Sequence, residues 1–184
     1  VSIEPTTLTL VEAPPQGLSA EEFKAVFRHH PAGVAVMTLR TPDGPVGFTA
    51  TSVISVSADP PILAFSLAAS SSSRPAVEDA ESLVVNFLAA GQQHVAARFA
   101  RRGVDRFATT TWAPLPTGEP VLEGTTAWLH GLVEKRIPVG DSLLVTVRAV
   151  RAGRGGTDRP LTYVDRTYHR LGRHSRLGLN GPDH

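Results

Sequence analysis

Cysteine is absent from the 184 residues, and that one absence excludes disulfides, thiolate metal sites and a cysteine nucleophile together. Redox chemistry, if there is any, must therefore be carried by a bound cofactor or metal. Charge of one sign is also scarcely in excess. Lys and Arg number 18 against 17 Asp and Glu, and a formal charge of +1 gives no electrostatic case for nucleic acid or an anionic membrane. Long apolar runs are missing too: Leu83 to Ala90, with Asn86 inside it, is far too short to span a bilayer. No stretch near the N-terminus joins basic residues to an apolar run, so no secretory signal is visible, and the cytoplasm is the default setting. The seven histidines are dispersed, with His29 and His30 adjacent rather than one helical turn apart, so no metal site is expected. Gly153-Arg154-Gly155-Gly156 lacks the spacing of a dinucleotide fingerprint and follows a strand without opening a helix. No P-loop and no Gly-x-Ser-x-Gly elbow appears.

What is present reads as one domain over residues 19–171, between an extended arm at 1–18 and a Gly-, Arg- and His-rich tail at 172–184. Ser19 and Glu22 form a capping box for a helix carrying Phe23, Val26 and Phe27, which Pro31 ends. Val34 to Arg40 is apolar and β-branched, and Thr41-Pro42-Asp43-Gly44-Pro45 is turn chemistry. A strand then resumes from Val46 to Ser57, with Phe48, Ala50, Ser52, Ile54 and Val56 on one face and hydroxyls prominent on the other. Further strands are expected at Ile62 to Leu67, Leu83 to Ala89, Thr125 to Ile137, Ser142 to Ala152 and Leu161 to Val164. Short helices are expected at Pro75 to Glu81 and Gln92 to Arg102, the second ended by Gly103. Many strands with tight turns and short helices fit a small antiparallel barrel better than a doubly wound parallel sheet.

Two segments carry chemistry in their composition. Gly47-Phe48-Thr49-Ala50-Thr51-Ser52 sets hydroxyls behind a hairpin, with Gly47 allowing a ligand close to the backbone. Hydroxyls and backbone amides suit the polar edge of an isoalloxazine ring, although a Thr-rich strand chosen for β-propensity would look the same. In Ser70-Ser71-Ser72-Ser73-Arg74-Pro75, hydroxyls, a guanidinium and a helix start converge in a way that could hold a phosphate, or Ser73 could simply cap the helix. Asp105-Arg106-Phe107, Gly140-Asp141-Ser142 and Tyr168-His169-Arg170 say little individually.

In sequence order these segments resemble the short-chain flavin reductase family. The string runs Phe27…Pro31-Ala32-Gly33-Val34-Ala35-Val36-Met37-Thr38, Gly47 to Ser52, Ser55-Val56-Ser57-Ala58-Asp59-Pro60-Pro61 and Val85-Asn86-Phe87-Leu88. It continues through Phe99-Ala100…Asp105-Arg106-Phe107, Gly140-Asp141 and Pro160-Leu161-Thr162-Tyr163…Tyr168-His169-Arg170-Leu171. The resemblance covers about residues 20–171 in unbroken order, which is more specific than any one motif.

The resemblance implies a mainly β, antiparallel split barrel of the FMN-binding type, a homodimer, with FMN or FAD near the subunit interface. It places Phe48, Thr49, Ala50, Thr51 and Ser52 beside the isoalloxazine, and Phe65 and Ser66 beside the ribityl chain or ring. It gives the phosphate to Ser70, Ser71 and Ser72, with Arg74 as a further candidate, and sets Phe99, Ala100 and Arg106 near the cofactor. The activity implied is reduction of flavin by NADH or NADPH, with reduced flavin passing to a partner monooxygenase. Ring stacking would do most of the work, with no catalytic acid or base, and Thr49 and Thr51 would be hydrogen-bond donors toward the charge that develops on reduction. Tyr168 matches a tyrosine of the nicotinamide side. Two positions depart from the pattern: Ser142 stands where many relatives have His, and Thr51 where many have Asn. The loss of that His keeps open an FMN-binding electron carrier with little reductase activity; a split barrel that has exchanged flavin for haem or another cofactor is a third, separate reading.

Overall fold

The structure is a computed structural model describing residues 17–156, 159–171 and 175. Most of the expected arm and tail therefore lies outside the described residues. Ser19 opens helix α1, Ala20–Phe27, with the reciprocal capping box: its hydroxyl accepts from the Glu22 amide and Glu22 Oε2 accepts from the Ser19 amide. The chain continues through β1 Ala32–Gly33, β2 Ala35–Thr41, β3 Gly44–Ala50, β4 Ile54–Ala58 and β5 Pro61–Ala68. Helix α2, Arg74–Asp79, then leads to β6 Ser82–Phe87, and a 3-10 turn at Ala90–Gln92 leads to α3 Gln93–Ala100. The rest is β7 Trp112–Pro114, β8 Pro120–Leu122, β9 Ala127–Val139, β10 Ser142–Arg154, β11 Leu161–Val164 and β12 Thr167–Arg170.

Seven strands form one antiparallel sheet in the order β3-β2-β6-β9-β10-β5-β4, and β1-β11-β12 and β7-β8 make two smaller sheets. The expected single strand from 46 to 57 is thus two strands, β3 and β4, at opposite edges of the large sheet. In a flat sheet, six steps of about 4.8 Å would hold those edges roughly 29 Å apart. The connection Thr51-Ser52-Val53 can reach about 14 Å at most. The sheet must therefore curl until its edges approach, leaving a split where β3 and β4 part without pairing.

The break also explains where the expected alternation fails. Phe48 and Ala50 are buried as anticipated, but Ile54 and Val56 are more than half exposed because they lie on the far edge strand. A continuous β-prone run hides the crossing. Two smaller departures have local causes. Helix α3 stops at Ala100 because Arg101 is extended, ahead of Gly103 with its φ of +69°. The β7-β8 hairpin, for which no strand was expected, is short and rich in proline.

Strand β2 is buried on both faces, which accounts for its unbroken apolar character. Met37 and Leu39 point into the curled sheet with Phe65, Leu83, Val85 and Val145, and Val77 of α2 joins them. Val36 points the other way, to a second core where Phe99 and Ala96 of α3 meet Leu88, Leu122 and Leu161. Asn86 is wholly buried between the layers. Its amide donates to the Val36 carbonyl and the Thr38 hydroxyl, and its oxygen accepts from the Leu122 amide, so one side chain fastens β2 and β8 to β6. Glu119 is buried beneath the same hairpin. Burial pushes its pKa up, but the Ser82 and Thr117 hydroxyls, a backbone bond and nearby His130 outweigh that and hold it below the ordinary carboxylate value.

The split itself is bridged by a hydroxyl. Ser52 Oγ donates to the Ser66 carbonyl and accepts from the Ser66 amide, both at 3.0 Å. These β5 groups lie just past the last β4 pairing, Ile54 with Ala64, and would otherwise lack a partner on that side. Ser52→Ala is expected to lower stability by about 0.5–1.5 kcal/mol, the net worth of such a bond where water can reach the groups it leaves. Denaturant unfolding measures this, and an unchanged midpoint would show that the two edges are held together elsewhere.

Candidate functional site

A cavity of about 370 Å³ opens at the split. Phe48 to Ser52 bring the end of β3 and the crossing to one side of it, and Ser66, Leu67 and Ala68 bring the end of β5 to the other. Ser70, Ser71 and Ser72 continue from β5 along its rim, while Phe99, Ala100, Arg102 and Arg106 reach it from α3 and the loop beyond. Twelve of the fourteen cofactor-side residues expected from the sequence therefore line one space.

Phe65 and Arg74 do not. Successive strand residues face opposite ways, so with Ser66 toward the cavity, Phe65 points into the core, where its ring lies 6.0 Å from that of Phe48. Arg74 is turned along α2, its Nε 2.8 Å from Glu78 Oε1, and its charge is already paired. Arg102, not Arg74, lines the cavity beside the serines, with its Nη2 donating to the Ser70 carbonyl. It was missed because Arg101-Arg102-Gly103 reads as no more than a helix end. Ala68 could have been found from Ser66 by strand alternation.

Many lining polar groups are already committed. Thr49 Oγ1 donates to the Ala96 carbonyl at 2.7 Å, so its only hydrogen ties β3 to α3 and it is no longer a donor toward the cavity. Thr51 is exposed, and its hydroxyl bonds to no described residue. Ser73 occupies the N-cap position of α2 without capping it, and its hydroxyl instead accepts from Arg106 Nη1 at 3.0 Å. Helix α2 has only six residues, so the helix start adds little to an anion site.

Arg106 acts as a clip. Nη1 also donates to the Gly47 carbonyl at 2.7 Å, and Nε and Nη2 both donate to the Arg101 carbonyl, joining β3, the start of α2 and the end of α3. Burial lowers its pKa, yet a guanidinium stays cationic at neutral pH. Among the described residues neither Arg102 nor Arg106 has a carboxylate within ion-pair distance, and no Asp or Glu lines the cavity. The space is electropositive and rich in hydroxyls, and its size and donors fit a flavin with an anionic tail.

The two residues assigned to the nicotinamide side stand apart from this lining. Ser142 opens β10 opposite Ala68, and its hydroxyl donates to Asp141 Oδ1 at 3.2 Å. Tyr168 packs on the second core, with its ring 5.0 Å from that of Tyr163. Burial, then the neighbouring Tyr163, raises its pKa. Among the described residues no cluster of His, Asp and Glu could hold a metal, and no helix is long and apolar enough to cross a membrane.

The fold is that of a split-barrel protein, with a cavity at the split lined by hydroxyls and two arginines. The sequence pattern described as "flavin reductase like domain" matches residues 27–172. An NADH:FMN oxidoreductase of Rhodococcus qingshengii is 48% identical over 159 residues, covering 84% of this chain and 83% of the relative. A flavin reductase domain protein from Arthrobacter sp. FB24 superposes with a TM-score of 0.80 at 36% identity, over 87% of this chain and 98% of the other. Nitrilotriacetate monooxygenase component B from Mycobacterium thermoresistibile gives 0.81 at 29% identity, over 89% and 92%. The chain belongs to the flavin reductase like domain family.

Gly47 was expected to make room for a ligand, but a side chain of the protein fills that room. A Cβ at this position would lie 2.6 Å from Phe99 Cε1 and 3.0 Å from the Met37 carbonyl oxygen. Gly47→Ala is therefore expected to cost about 1–3 kcal/mol as overpacking. Combined with Phe99→Leu, it should cost less than the sum of the two single changes in thermal or denaturant unfolding. Strict additivity would mean that the ring and the new methyl do not collide.

Proposed function

We propose that residues 19–171 form an NAD(P)H-dependent flavin reductase that binds FMN or FAD at the split and supplies reduced flavin to a partner monooxygenase. The carrying observation is the cavity itself, where free hydroxyls and unpaired guanidinium groups meet with no carboxylate among them. The NADH:FMN oxidoreductase relative and the monooxygenase component B neighbour support the reaction and the kind of partner.

A flavin bound here supplies the two-electron chemistry, accepting hydride from the nicotinamide of NADH or NADPH. The chain's own part is placement. Holding both reactants in one seat converts an encounter into an oriented step, which is worth more than any acid or base could add. Phe48, Ala50 and Phe99 give the seat its apolar part, and Ser70 to Ser72 with the nearby arginines hold the phosphate. Thr51 has the uncommitted hydroxyl that can donate toward negative charge developing on the ring. On the nicotinamide side, Ser142 can neither stack nor carry charge as an imidazole would, so nucleotide binding rests on other groups, Tyr168 among them. Purified protein given NADH or NADPH should consume it steadily once FMN or FAD is added, followed by loss of NADH absorbance. No consumption with either nucleotide at any flavin concentration would end this reading. The tied hydroxyl of Ser142 favours a second one, an FMN carrier with little reductase activity. A yellow protein that NADH fails to bleach would establish it.

The chain also acts as a homodimer in this proposal, in a cytoplasmic setting where reduced nicotinamide is supplied. Phe23, Val26 and Phe27 of α1 and Ile54 and Val56 of β4 are each more than half exposed, and none of the α1 residues is buried within the chain. Apolar surface of this kind is what a second copy covers. Light scattering should give twice the chain mass, and Phe23→Glu with Phe27→Glu should shift it toward one chain. A wild-type monomer at tens of micromolar would rule the dimer out.

A further inference from the structure

The flavin reading above leaves open which group meets the phosphate. We propose that Arg102 is that group, and that it makes the chain favour a phosphate monoester, as in FMN, over riboflavin and over the diester phosphates of FAD. Two arginines, Arg102 and Arg106, line the cavity, and Arg74 adjoins the serine loop in sequence. Arg74 does not line the cavity and its charge is held by Glu78. Arg106 lines it, but four of its five N–H groups are used on the Gly47 carbonyl, the Ser73 hydroxyl and the Arg101 carbonyl.

Arg102 is differently placed. Its Nη2 donates to the Ser70 carbonyl at 2.6 Å and lies 3.4 Å from the Ser70 hydroxyl, which holds the guanidinium against the serine loop. Its Nε and Nη1 hydrogens meet no described residue. The nearest acidic candidate in sequence, Asp105, turns its carboxylate back to the Phe107 and Ala108 amides.

The loop offers donors to match. Ser71 Oγ accepts from the Ser73 amide, so its own hydrogen is free to point outward. Neither the amide nor the hydroxyl of Ser72 bonds to a described residue. A planar fork of N–H groups beside such donors matches the three terminal oxygens of a monoester. Above its second pKa, near 6, that monoester approaches a charge of −2, whereas each phosphate of FAD carries −1 and riboflavin carries none. The preference for FMN should therefore strengthen as pH rises through about 6.

The test is titration of FMN, FAD and riboflavin, by flavin fluorescence, into the full chain and its Arg102→Gln, Arg102→Lys and Arg74→Gln variants, below and above about pH 6. Arg102→Gln should weaken FMN roughly 10- to 100-fold, FAD less, and riboflavin less than about twofold, as expected on losing charge-assisted bonds to phosphate. It should also flatten the pH dependence for FMN, and Arg102→Lys should restore part of the affinity. Equal losses for FMN and riboflavin would overturn the assignment, because they would mark a general disturbance of the seat. A phosphate-specific loss in Arg74→Gln but not in Arg102→Gln would also overturn it. Should wild-type protein bind no flavin at all, the flavin reading fails and this assignment fails with it. Should wild type and Arg102→Gln prefer FMN to riboflavin equally, only the assignment fails.

Discussion

The architecture depends on a three-residue crossing. Thr51, Ser52 and Val53 carry the chain from one edge of a seven-stranded sheet to the other. No flat sheet permits so short a connection, so curling and the split are imposed together. The cavity follows from this, because the strands on either side part where the crossing leaves them. Ser52 holds the parted ends in register through the Ser66 backbone, and the side chains of β3 and β5 that come next face the gap. Fold and site thus have one cause.

The polar groups around the gap divide into those that build it and those that can still bind. Thr49, Ser52, Ser73 and Arg106 use their hydrogen bonds on the protein, each joining two elements that would otherwise be separate walls. Thr51, Ser71, Ser72 and Arg102 keep donors in reserve. This division gives a seat that is already organised, since the groups facing a ligand are carried by others that are already tied. Preorganisation of this kind reduces the ordering that binding would otherwise require.

The strands, the capped first helix and both hydroxyl clusters were legible in the sequence because each rests on local chemistry. The Ser19 and Glu22 box needs only four residues, and Thr- and Ser-rich stretches announce themselves by composition. What could not be read depends on three-dimensional neighbours. Residues 46–57 alternate like one strand, and nothing in their order records that the chain changes edges. Gly47 looked like space for a ligand because a sequence cannot show Phe99 lying against it. Arg74 was named because it adjoins the serines in sequence, which does not show that Glu78, one helical turn on, takes its charge. Phe65 is the exception: strand alternation already set it opposite Ser66, and the family resemblance outweighed that simpler rule.

The same division bears on how a reductase can give up its product. An anchor on the phosphate acts on a part of the flavin that does not change when the ring is reduced. Interactions equal in both oxidation states shift neither the equilibrium between them nor the balance of release. Only donors at the ring distinguish the states, and with Thr49 engaged by Ala96, Thr51 is the hydroxyl of that pair left to do so. A seat anchored at the phosphate and sparing at the ring holds oxidised and reduced flavin with similar strength. In the proposed placement such a seat suits a chain that must accept one form and release the other, with the uncommitted charge of Arg102 at the phosphate rather than at the ring.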